Sequence, residues 1–141
     1  MNLRSLLTVR AATLPSVALV AAAALAGLLA WPALPAEMAI HFNGGTPDNF
    51  VPRWQGVFAA PALGLAAVLF TRAVGDSSGD PAVTAVAMLF TGVVIAYVQA
   101  LVLLWNLGVR LDPTTAVLPV LVAAGVLVWF KYRGRALPTA D

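Results

Sequence analysis

Four long stretches of this chain, residues 14–31, 54–73, 82–107 and 114–130, carry no charged side chain away from their ends. No other feature restricts the fold as strongly. A hydrocarbon core roughly 30 Å thick is crossed by about 20 apolar residues in a helix. Backbone amides left unpaired in hydrocarbon cost several kcal/mol each, so every such stretch is expected to be helical. Of the 141 residues, 61% are hydrophobic and 10% charged. A water-soluble domain of that length has too little interior to hide so much apolar surface. The expected fold is an all-α membrane protein: one domain over residues 1–141, four transmembrane helices, and a structured extracytoplasmic loop between the first two.

Charge placement orients the bundle. With the N-terminus in the cytoplasm, that side holds Arg4, Arg10, Arg72, Lys131, Arg133 and Arg135, and the outer side only Arg53 and Arg110. The positive-inside rule therefore favours cytoplasmic N- and C-termini, a multi-pass protein of the plasma membrane, and an outer loop at 32–53. The first span is expected to be retained rather than cleaved. Its apolar run exceeds a signal core, and Ala33-Leu34-Pro35-Ala36 lacks the small-x-small cleavage pattern. Trp31, Trp54 and Trp105 fall at outer ends and Trp129 at the inner end near Tyr132, where amphipathic rings favour the headgroup level. A pI of 9.7 comes from scattered basic residues, which make no nucleic-acid footprint. The absence of cysteine excludes disulfides, thiolate-held clusters and a thiol nucleophile.

Helices associate in lipid through close packing and interhelical hydrogen bonds. In the third span Thr84, Thr91 and Gln99 recur at seven- and eight-residue spacing, with Gly92 and Ala96 as a small-x-x-x-small pair on the same face. Gln99 could contact a ligand or a partner, but a packing hydrogen bond to another helix is the stronger reading. Ala60 and Gly64 form a second small pair. Pro61 and Pro119 would bend the second and fourth helices. With so few intramembrane charges, an ion or proton path is disfavoured. Residues 75–81 read as a flexible turn, with Asp80 capping a helix that starts at Pro81; Asp112-Pro113 repeats that start in the second helical hairpin, 82–131.

The outer loop holds the only histidine. Pro32 and Pro35 end the first helix, and residues 38–42 alternate in the manner of a short extended segment, with Met38, Ile40 and Phe42 on one face and His41 on the other. Gly44-Gly45 suits a tight reversal with positive φ, and residues 46–49 read as a second turn. The loop should fold as a small cap over the mouth of the bundle. His41 would bond loop backbone or Asp48, and Asp48 and Arg53 could pair across the loop base. His41, Asp48 and Glu37 fall short of a metal set, so no metal or cofactor is expected. No nucleophile–base pair accompanies the histidine, so no catalytic residue is assigned and the chain reads as a non-enzyme.

Leu34-Pro35, His41-Phe42-Asn43, Gly45-x-Pro47-Asp48 and Arg53 five residues after the aspartate resemble the signature of a small prokaryotic membrane domain of unknown function. That domain forms the N-terminal part of SdpI-type immunity proteins. The resemblance covers about residues 13–75, with Met38-Ala39 standing where the family carries Ile-Pro. It implies a multipass membrane protein without catalysis, which in the named members confers immunity to a secreted peptide toxin. His41, Asn43, Gly45, Pro47, Asp48 and Arg53 are then candidates for partner binding or loop structuring, and Thr84, Thr91, Gly92 and Gln99 for a helix interface. The expected partners are the bilayer and a peptide toxin or, in the rival reading, a larger membrane complex that this chain serves as an accessory subunit. A homo-oligomer is compatible with both readings.

Overall fold

The computed structural model describes residues 8–78 and 80–133. Helix α1 runs Val9–Ala30 behind Thr8, whose hydroxyl accepts from the Ala11 amide at 3.1 Å. A short 3-10 turn, Trp31–Ala33, leads into strands β1 (Glu37–Asn43) and β2 (Thr46–Pro52). Helices α2 (Arg53–Ser78), α3 (Pro81–Asn106) and α4 (Pro113–Arg133) follow. The protein is thus mostly helical, with one small two-stranded antiparallel sheet where an all-α fold was expected. Among the described residues, three helical segments, Val9–Ala33, Arg53–Gly75 and Pro81–Asn106, are long and apolar enough to cross a membrane. The fourth expected span is a helix, but its described apolar stretch, Thr115–Trp129, is shorter. At 1.5 Å per residue it reaches about 22 Å.

Helices α1, α2 and α3 form the bundle, and α4 touches it mainly through α3. At Gly92 in α3 the helix meets the backbone of α1: an added Cβ would lie 3.0 Å from the Ser16 carbonyl oxygen and 3.2 Å from its Cα. A residue without a side chain suits so close a backbone approach. Of the pair Ala60/Gly64, Gly64 is buried against Ile95 of α3, and Ala60 is half-buried. Two apolar clusters close the ends of the bundle: Leu34, Met38, Val57 and Leu103 below the hairpin, and Val9, Val68 and Met88 at the far end.

Several local expectations change. Residues 75–78 belong to α2 rather than to a flexible turn. Asp80 does cap α3, accepting from the Ala82 amide at 2.8 Å, with Pro81 at the first helical turn. Asp112 accepts from the Thr115 amide at 3.2 Å at the start of α4. Pro61 and Pro119 both lie inside continuous helices. Of the charges behind the orientation, Arg4 and Arg135 lie outside the described residues, as do the side chains of Lys131 and Tyr132.

Candidate functional site

The hairpin is built around Gly44 and Gly45, whose φ angles are +55° and +83°. Positive φ at both central residues is the geometry whose twist matches paired strands, and glycine adopts it without a Cβ penalty. Residues 46–49, expected as a second turn, instead begin β2. Pairing runs from Asn43↔Thr46 to Glu37↔Pro52, with irregularities on either side of His41. They leave Ile40 and Asp48 without direct partners in the ladder. The first irregularity also breaks the expected alternation. Met38 and Ala39 are both buried, whereas Ile40 is exposed beside His41.

Burial of Met38 and Ala39 fastens the hairpin to the bundle. Met38 is fully enclosed among Leu34, Val57 and Leu103. The Ala39 amide donates to Asn106 Oδ1 at 2.9 Å, and Asn106 Nδ2 donates back to the Ala39 carbonyl at 2.9 Å. The terminal side-chain amide of α3 thus pairs with both the N–H and the C=O of Ala39. Asn106 was not singled out from sequence, although a lone Asn closing a span of 26 residues was an available signal.

Arg53 closes the hairpin base. Its backbone amide donates to Ala36 O at 2.8 Å and its Nε to Pro35 O at 3.0 Å, with the guanidinium 5.5 Å from the Trp31 ring centroid. The expected Asp48–Arg53 pair does not form. Asp48 goes to His41, the imidazole Nδ1–H donating to Oδ1 at 2.6 Å. His41 and Asp48 side chains are 67% and 42% exposed, so the pair is worth only ~0–1 kcal/mol. Asn43, Thr46, Asp48, Asn49 and Phe50 share the exposure, while Gly45 and Pro47 are half-buried. The motif residues come together in one hairpin, with His41 and Asp48 outward and Arg53 beneath.

The helix-interface candidates divide. Gln99, 1% exposed, donates through Nε2 to Gly56 O and Val57 O of α2, each at 3.2 Å. The Val57 carbonyl is the one that Pro61, four residues on, cannot serve, because proline has no N–H. Gln99 supplies the missing donor across the interface. Gly92 faces α1 rather than α2, and Thr84 is buried against Gly75. Thr91 is half-buried, and its hydroxyl donates to Ala87 O of its own helix at 2.9 Å. Among the described residues, no three His, Asp or Glu side chains gather as a metal site.

Residues 18–65, about a third of the chain, match a family described as a domain of unknown function (DUF1648). The matched segment takes in most of α1, the whole hairpin and the first half of α2, and so contains every motif residue from Leu34 to Arg53. No curated protein and no solved structure matches the chain.

Proposed function

We propose that this chain is a non-catalytic integral protein of the plasma membrane that engages a peptide or protein partner through its hairpin. Three apolar helices make a multi-pass membrane protein. In this reading α4 is a fourth span around which the bilayer thins, and both termini are cytoplasmic. The observation that carries the reading is the contrast between the two sides of the hairpin. One side is clamped by Met38, Asn106 and Arg53, while the other presents His41, Asp48, Asn43 and Phe50 to the outside. A rigid backbone under exposed polar and aromatic side chains lowers the ordering cost of binding. Toxin immunity of the SdpI type is the specific form suggested by the HFN-x-x-x-PD motif.

A photo-crosslinking amino acid placed at Asn43 or Phe50 in the native host tests this. An adduct with a secreted peptide or an envelope protein is expected from both positions, and it should weaken in a His41→Ala background that accumulates normally. Absence of any polypeptide adduct from the hairpin would sink the reading.

A second reading, an accessory subunit of a larger complex, is favoured by α4. Only Ala116, Val120 and Ala124 of its described side chains are partly covered, at four-residue spacing, and its other described side chains are exposed. Purification in gentle detergent separates the two. Stoichiometric membrane subunits favour the accessory role, and a lone chain or homo-oligomer argues against it.

A further inference from the structure

Between α3, α4 and the underside of the hairpin lies a groove of about 470 Å³, within the ~300–1,000 Å³ common for small-ligand sites. Leu101 and Val102 form one wall, Leu118 and Leu121 the other, and Phe42 roofs it. The roof is fixed by an edge-on contact between Phe42 and Trp105, ring centroids 4.7 Å apart. The Tyr97 hydroxyl, which donates to Ala116 O at 2.7 Å, ties α3 to α4 beside the groove.

We infer that this groove holds one acyl chain of an anionic phospholipid, with the headgroup phosphate on Arg110. Water suits the space poorly, because a buried water needs two to four polar partners and, apart from His41 and the Trp105 indole at the hairpin end, the lining side chains are hydrocarbon. A void would forfeit the dispersion contacts of every side chain around it. Leu118 and Leu121 lie one to two turns from the start of α4, roughly 7–12 Å along its axis. That depth is where lipid hydrocarbon is the surrounding medium, and the groove, roofed by the hairpin, opens sideways to it. The charge at its upper end fits a phosphate. The Arg110 guanidinium sits 4.8 Å from the centroid of Trp105, a groove-lining ring. Of the nearby acids, Asp48 is bound to His41 and Asp112 to the start of α4. Arginine's planar fork suits phosphate oxygens.

The test uses the full chain with Trp105 as its sole tryptophan, the other three replaced by Phe, in phosphatidylcholine vesicles. These carry increasing fractions of chain-brominated phosphatidylglycerol or chain-brominated phosphatidylcholine, whose bromines quench a neighbouring indole. Quenching by the anionic lipid is expected at about fivefold lower mole fraction, the effect of one arginine at a lipid surface. Arg110→Gln should abolish the preference and Arg110→Lys retain much of it, while Val117→Phe, which fills the groove, should reduce quenching by both lipids. Native mass spectrometry should show the chain carrying a single phospholipid. Equal quenching by both lipids, insensitive to Val117→Phe, would mean annular lipid only and overturn the inference. So would a lipid-free dimer or a bound polypeptide. The vesicles contain no peptide partner, so this outcome is independent of what the hairpin recognises.

Discussion

Asn106 and Gln99 both face inward from α3, and each completes a backbone that another residue has left short. Asn106 serves the inward-turned peptide of Ala39 in both directions. Asn106→Ala should therefore strand a donor and an acceptor together, costing about 1–3 kcal/mol and loosening the hairpin ahead of the bundle. Faster amide exchange at residues 37–43, with protection in α1 retained, would verify this. Gln99 serves the Val57 carbonyl that Pro61 cannot. If that is its role, Gln99→Met and Pro61→Ala must couple. Gln99→Met should destabilise the native chain in detergent, and the penalty should shrink by about 0.5–2 kcal/mol in a Pro61→Ala background. Additive effects in a double-mutant cycle would refute the pairing. The Gln99 Oε1 atom, buried without a partner among the described residues, limits the bond's net value. Interhelical hydrogen bonds in membranes average only ~0.6 kcal/mol. That Gln99 needed a partner was legible in the sequence; that the partner was a carbonyl freed by Pro61 was not, because it depends on the rotation of α2 against α3.

At the scale of elements, hydropathy located the helices, and cap chemistry located two of their starts, where Asp80 and Asp112 accept. The Thr8 cap, ahead of Arg10, was not anticipated. The hairpin was only half legible. Gly44-Gly45 announced its turn, but the irregularities around His41 depend on contacts that local alternation does not contain: burial of Met38 beneath Leu34, and Asn106 reaching Ala39. The close approach at Gly92 was likewise anticipated as small, without its partner Ser16. Two substitutions test these elements. Gly45→Val places a β-branched residue at φ +83° and should cost roughly 1–2 kcal/mol. Gly44→Asn, in a position that tolerates left-handed Asn, should be nearly neutral. Thermal unfolding in detergent should rank them in that order. Gly92→Leu has no space against the Ser16 backbone and should force α1 from α3. A distance between spin labels on those two helices that does not grow would count against the packing.

The whole molecule divides unequally, into a three-helix bundle with its docked hairpin and a fourth helix that the described residues join to it only sparsely. The buried residues lie in α1, α2, α3 and the segment through Ala39, while every described side chain of α4 is exposed or at most half-covered. The two apolar clusters and both amide clamps are complete without α4. A chain ending after Gly108 should then keep its fold. What it loses is the bond from Tyr97 to Ala116, worth about 0.5–1.5 kcal/mol, and one wall of the groove. Such a truncation should insert into membranes, protect the hairpin amides from exchange as the full chain does, and unfold at a denaturant concentration only slightly lower. It should also lose any preference for anionic lipid, since Arg110 and the α4 wall leave together. A truncated chain that fails to insert, or whose hairpin exchanges freely, would show that α4 supports the bundle through contacts other than these. Retention of the core with loss of lipid selectivity would instead separate the two parts by role: the bundle holds the hairpin in shape, and α4 completes a groove against it.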